Sequence, residues 1–153
     1  MVGCWSFADV FTTAPRLTGA DHSENCCAFA DRASAIALSS RDGSYTLVPL
    51  AREAQIAPVY GILAGDFDHD GKLDLLLAGN FSGVQPEIGS MMASYGLMLR
   101  GNGRGGFTPL HADQTAFVAP GESRDIQRLR TRRGDLYIVA RNNDRPLFFR
   151  PTR

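Results

Sequence analysis

Asp66, Asp68, Asp70 and Asp74 crowd into one run, Gly65-Asp66-Phe67-Asp68-His69-Asp70-Gly71-Lys72-Leu73-Asp74. They take positions 1, 3, 5 and 9 of a tight loop, and Gly71 takes position 6, where a sharp turn needs a residue free of a Cβ. Four carboxylates this close repel one another unless a cation sits among them. Calcium, a hard ion with six to eight oxygen ligands, suits such a set. Magnesium prefers to keep several waters. A solvated acidic turn without metal is the plainer alternative. An EF-hand needs a carboxylate at position 12 and a helix after it. Position 12 is Leu77, and Leu75-Leu76-Leu77-Ala78-Gly79-Asn80 has the character of a strand and turn.

The elements that must hold this loop are strands. Ser44–Leu50, Val59–Ala64, Leu73–Ala78, Tyr95–Arg100, Phe107–Leu110, Asp125–Leu129, Leu136–Ala140 and Pro146–Arg150 are short apolar or alternating runs separated by Gly and Asn turns. That spacing predicts an all-β fold. Leu73–Ala78 is apolar on both faces and belongs inside a sheet. Phe107–Leu110 carries Pro109 and belongs at an edge. Residues 1–40 show no period and are expected to be an irregular segment, non-native or truncated. Residues 41–153 form the ordered part. Ser44-Tyr45-Thr46 returns as Gly106-Phe107-Thr108, and Leu73–Asn80 returns approximately as Leu136–Asn143. An interval of about 60 residues fits a blade-type repeat.

On these residues the chain resembles the FG-GAP/VCBS-type repeats, the β-propeller blades of integrin α-subunits and of many secreted bacterial proteins. The resemblance runs from about Gly43 to Arg150. It implies calcium held by the side chains of Asp66, Asp68, Asp70 and Asp74 and by the backbone carbonyl of Lys72. Phe67 would then pack inward and His69 would face solvent. It implies a partial β-propeller of about two to two and a half blades, fewer than the four a propeller needs to close. The remaining blades would lie on a longer secreted or cell-surface protein. The second copy, Arg128-Leu129-Arg130-Thr131-Arg132-Arg133-Gly134-Asp135, has Arg where ligands would stand, so no calcium is expected there. Ser90-Met91-Met92 replaces the polar residues usual in the long loop.

Composition is globular, with 44% hydrophobic and 21% charged residues over 153 positions and zero formal net charge. That balance argues against nucleic acid or a membrane surface as partner. No apolar run approaches the roughly 20 residues that span a bilayer, and the N-terminus lacks the pattern of a signal peptide. Cys4, Cys26 and Cys27 lack the companions of a zinc site. Gly101–Gly106 spells G-x-G-x-x-G, but Phe107-Thr108-Pro109 after it breaks any helix, so it is taken as a hairpin turn. Arg133-Gly134-Asp135 and the sequon Asn80-Phe81-Ser82 are short matches of the kind chance supplies. His22, His69 and His111 are isolated, and no nucleophile elbow or metalloprotease motif occurs. The chain is therefore expected not to be an enzyme. A calcium-stabilised binding or adhesion segment, with a protein or carbohydrate ligand, is the leading expectation. An accessory domain of a secreted enzyme and a truncated, non-functional remnant are the alternatives.

Overall fold

The structure is a computed structural model and describes residues 33–40, 42–84, 87 and 89–151. It is all-β, as the turn spacing predicts, with three antiparallel sheets. Cys4, Cys26, Cys27 and His22 lie outside the described residues.

The chain divides into two compact units at Leu50/Ala51, ten residues beyond the boundary near 40 that composition suggests. In the first unit, β1 (Ala35–Ser39) and β2 (Tyr45–Pro49) form a hairpin in which Ala37 faces Leu47. β1 corrects the expectation of an irregular segment reaching residue 40. Ala35-Ile36-Ala37-Leu38-Ser39 does not alternate in polarity, and among the described residues its pairing comes from β2.

In the second unit, β3 (Val59–Gly65), β4 (Asp74–Gly79), β5 (Leu97–Gly101) and β6 (Phe107–Leu110) form a meander in the order β3-β4-β5-β6. β4 is buried along its whole length, as its two apolar faces require. β6 is an edge strand, which accommodates Pro109 opposite Leu99. β7 (Ser123–Thr131), β8 (Gly134–Arg141) and β9 (Leu147–Phe149) form a second meander. Two short pieces escaped the sequence reading: a 3-10 turn at Arg52–Gln55 and a one-turn helix, α1 (Ala112–Thr115). Both are too short to show a period. Among the described residues the sheets close into neither a barrel nor a propeller. No helix there is long and apolar enough to cross a membrane.

The core of this unit lies between its two sheets. Leu63, Leu76, Ala78 and Met98 meet Ile126, Tyr137 and Val139, with Phe117 and Ala119 from the connection between the sheets. Close approach depends on Gly61, where a Cβ would stand 2.9 Å from Ile126 Cγ1 and 3.0 Å from the Asp125 carbonyl carbon. The two leading hairpins share a detail. β3 shifts register between Val59 and Gly61, and β7 shifts between Ser123 and Asp125, so Tyr60 and Arg124 are the extra residues of two bulges.

Candidate metal centre

The acidic loop joins β3 to β4, with Gly65 opposite Asp74 at its base. Its backbone is folded by its own carboxylates. Asp68 Oδ1 accepts from the Asp70 amide at 3.1 Å, Asp70 Oδ1 from the Lys72 amide at 2.9 Å, and Asp66 Oδ2 from the Gly71 amide at 3.0 Å. Side chains bonding the backbone two residues on are Asx turns, which Asp favours because its carboxylate is short. His69 (φ 63°) and Gly71 (φ 80°) take the left-handed conformations that reverse the chain. Phe67 packs against the core and edge-on to Tyr137, with ring centroids 5.3 Å apart, while His69 is exposed.

Asp66, Asp68 and Asp74 each offer a carboxylate oxygen, and these oxygens lie within 4.8 Å of one another. Two oxygens bound to one calcium at about 2.3–2.6 Å are at most about 5.2 Å apart, so the group fits that ion. The donors are all hard oxygens, which fits calcium better than zinc or copper. Asp66 and Asp68 are exposed, and Asp74 is fully buried. Asp74 is also a structural anchor. Its Oδ1 accepts from the Gly101 amide at 2.8 Å and its Oδ2 from the Phe67 amide at 3.1 Å, which ties the loop to the end of β5. Each oxygen keeps a lone pair for a cation.

Asp70, also singled out from sequence, is not among the three converging acids. Asp70 Oδ2 pairs with Lys72 Nζ at 2.9 Å and with Arg100 Nη2 at 3.3 Å. The hydrogen bonds from Lys72, with the charges of Lys72 and Arg100, hold the Asp70 carboxyl below its ordinary value. Arg100, on β5, was not visible as a site residue. Its Nε lies 2.6 Å from Asp68 Oδ2. Only the β4–β5 register brings it there, and no local spacing in the sequence encodes that register.

The β7–β8 hairpin is closed by a tight turn rather than by an acidic loop. The ladder of β7 and β8 runs on to Thr131 opposite Gly134, leaving Arg132 and Arg133 as a two-residue turn. Gly134 has φ 105°, and Thr131 Oγ1 donates to the Gly134 carbonyl at 2.6 Å. The Arg run thus belongs to a β-ribbon. Arg128 reaches Asp135 at 3.8 Å, and Arg130, Arg132 and Arg133 are exposed. Gly101–Gly106 is a hairpin turn between β5 and β6, closed by the Asn102 amide donating to the Gly106 carbonyl at 2.9 Å.

A second polar cluster joins the long loop to the second sheet. The Glu122 carboxylate accepts from the Ser82 amide, from Asn142 Nδ2 at 2.6 Å and from Arg124 Nη2 at 3.1 Å. Donors from Ser82 and Asn142, then the charge of Arg124, pull its pKa down from 4.5 to about 2. Asn80, in a left-handed turn with φ 85°, donates to the Ser94 and Gly121 carbonyls at 2.6 and 2.9 Å.

In comparisons with known proteins, no family model, curated protein or solved structure matches the chain.

Proposed function

We propose that residues 41–153 are a calcium-stabilised propeller-type repeat segment with a binding or adhesion role, carried by a larger secreted or cell-surface protein. The observation that carries this reading is the convergence of Asp66, Asp68 and Asp74 at the mouth of the β3–β4 hairpin, with Asp74 buried and bonded to two backbone amides. Propeller blades are four-stranded antiparallel sheets, and the four-stranded antiparallel meander that bears the loop is compatible with that reading. Calcium would be structural here. It would neutralise the crowded carboxylates and fix the hairpin mouth. The reading gives the chain no catalytic step. Its partners would be the remaining blades and a protein or carbohydrate ligand, without nucleic acid or membrane insertion.

The test is thermal unfolding of the full chain with and without calcium. Extracellular calcium modules bind at about 10⁻⁴–10⁻³ M. At ten times the dissociation constant, one site adds about 1.4 kcal/mol. A rise in Tm with calcium, lost in Asp66→Ala, is expected. The same Tm in calcium and in chelator would refute the site.

A second reading draws on the ion pairs. Lys72 and Arg100 already face Asp70 and Asp68, so the loop could be a metal-free acidic turn with its own counterions. An unchanged Tm in calcium favours this reading.

A further inference from the structure

Arg100 holds the same carboxylate that the cation would need. Its Nε sits 2.6 Å from Asp68 Oδ2, and Asp68 is one of the three converging acids. The adjacent residue fixes where Arg100 starts from, because the Gly101 amide is bonded to Asp74 Oδ1 at 2.8 Å. The guanidinium is therefore delivered to the mouth of the group by a strand rather than by a mobile loop. Its side chain is 50% exposed, so it can turn into water without crossing the core.

We propose that Arg100 is a built-in competitor for the cation: it occupies Asp68 when calcium is absent and is displaced from Asp68 when calcium enters. This rests on the calcium reading of the loop. A guanidinium and a divalent cation a few ångströms apart repel, and they share one carboxylate. The pair is partly exposed and screened, so the effect is moderate rather than prohibitive. Lys72 differs in kind. It carries the same charge and pairs with Asp70, which stands outside the group. Arg100 would thus keep the hairpin mouth neutralised in low calcium and set the concentration at which the ion takes over.

The test measures calcium affinity of the full chain by calorimetry and by terbium luminescence, for the parent, Arg100→Gln and Lys72→Met. Arg100→Gln is expected to tighten binding about threefold to tenfold, and Lys72→Met by less. A second readout is the Arg100 Nε–H resonance in ¹⁵N NMR. It is expected to be protected from exchange in chelator and to lose that protection in calcium. If Arg100→Gln does not fold, Arg100→Lys replaces it, since a lysine keeps the charge but not the fork, and an intermediate affinity is expected. Unchanged or weaker affinity in a folded Arg100→Gln overturns the proposal while leaving the calcium site standing. Equal gains in the Arg100 and Lys72 variants also overturn it, since they reduce the effect to net charge. No binding by parent or variants overturns the calcium reading and the proposal with it.

Discussion

The guanidinium carbon of Arg124 lies 4.6 Å from the ring centroid of Tyr60, and each residue is the extra one in its strand's bulge. A bulge breaks the alternation of a strand and re-aims one side chain. Here two bulges aim a cation and an aromatic ring at each other across the junction of β3 and β7. Phe81 lies 5.6 Å from the same guanidinium, and its ring is 6.4 Å from that of Tyr60, so the two rings flank one corner of the cation. A double-mutant cycle of Tyr60→Ala and Arg124→Ala should give a coupling of about 0.5–1 kcal/mol by chemical denaturation. Additivity within error would show that the stacking contributes nothing.

Gly61 should tolerate no side chain. A methyl at this position meets Ile126 and the backbone of Asp125 at 2.9 to 3.0 Å, and backbone cannot turn aside as a flexible side chain can. Gly61→Ala is expected to lose about 1–3 kcal/mol, read as a lower denaturation midpoint. Gly43→Ala, in open space but at φ 84°, should lose less.

Asp74 and Asp70 should separate when metal is absent. Asp74 is buried and satisfies two amides, so Asp74→Ala leaves the Phe67 and Gly101 N–H groups without that acceptor. A loss of about 2–4 kcal/mol is expected in chelator. Asp70→Ala removes partly exposed ion pairs and should cost under about 1 kcal/mol. Equal losses would mean that Asp74 has no anchoring role.

Glu122 predicts an acid-sensitive window. Its folded pKa, about 2, is below its ordinary 4.5. Its contribution to stability is therefore complete above about pH 4.5 and is lost as pH falls from there toward 2. Asp70 shifts in the same direction. In Glu122→Gln the fall of Tm between pH 5 and 2.5 should be shallower than in the parent, without vanishing. An identical slope would remove Glu122 as a source of the acid response.

The strands of the second unit were legible because their apolar runs end at Gly, Asn and Pro, which punctuate a β chain for stated steric reasons. The acidic loop was legible from its Asp spacing alone. Three of its four Asp side chains do converge. Asp70 does not, since Lys72 two residues on offers it both an amide and an ammonium, a local competitor that a template of ligand positions ignores. Arg100 was hidden because register between strands is set by packing far from the loop. β1 was hidden because Ala and Ser are weak strand formers, and it needs β2 to hold it.

Within each sheet of the second unit the strands lie in sequence order, with no crossover among the described residues. Apart from the long β4–β5 connection, each hairpin closes a short loop, for which the entropy cost is small. The contacts of β3 and β4 with β7 are the exception, since they join the first sheet to the second across the intervening β5 and β6. This arrangement predicts that the short hairpins zip first and that one sheet docks on the other more slowly, two phases that stopped-flow refolding would resolve. Substitutions within a hairpin should slow refolding. Substitutions at Gly61 and Ile126 should mainly speed unfolding, so the lifetime of the folded protein is governed at the seam between the sheets.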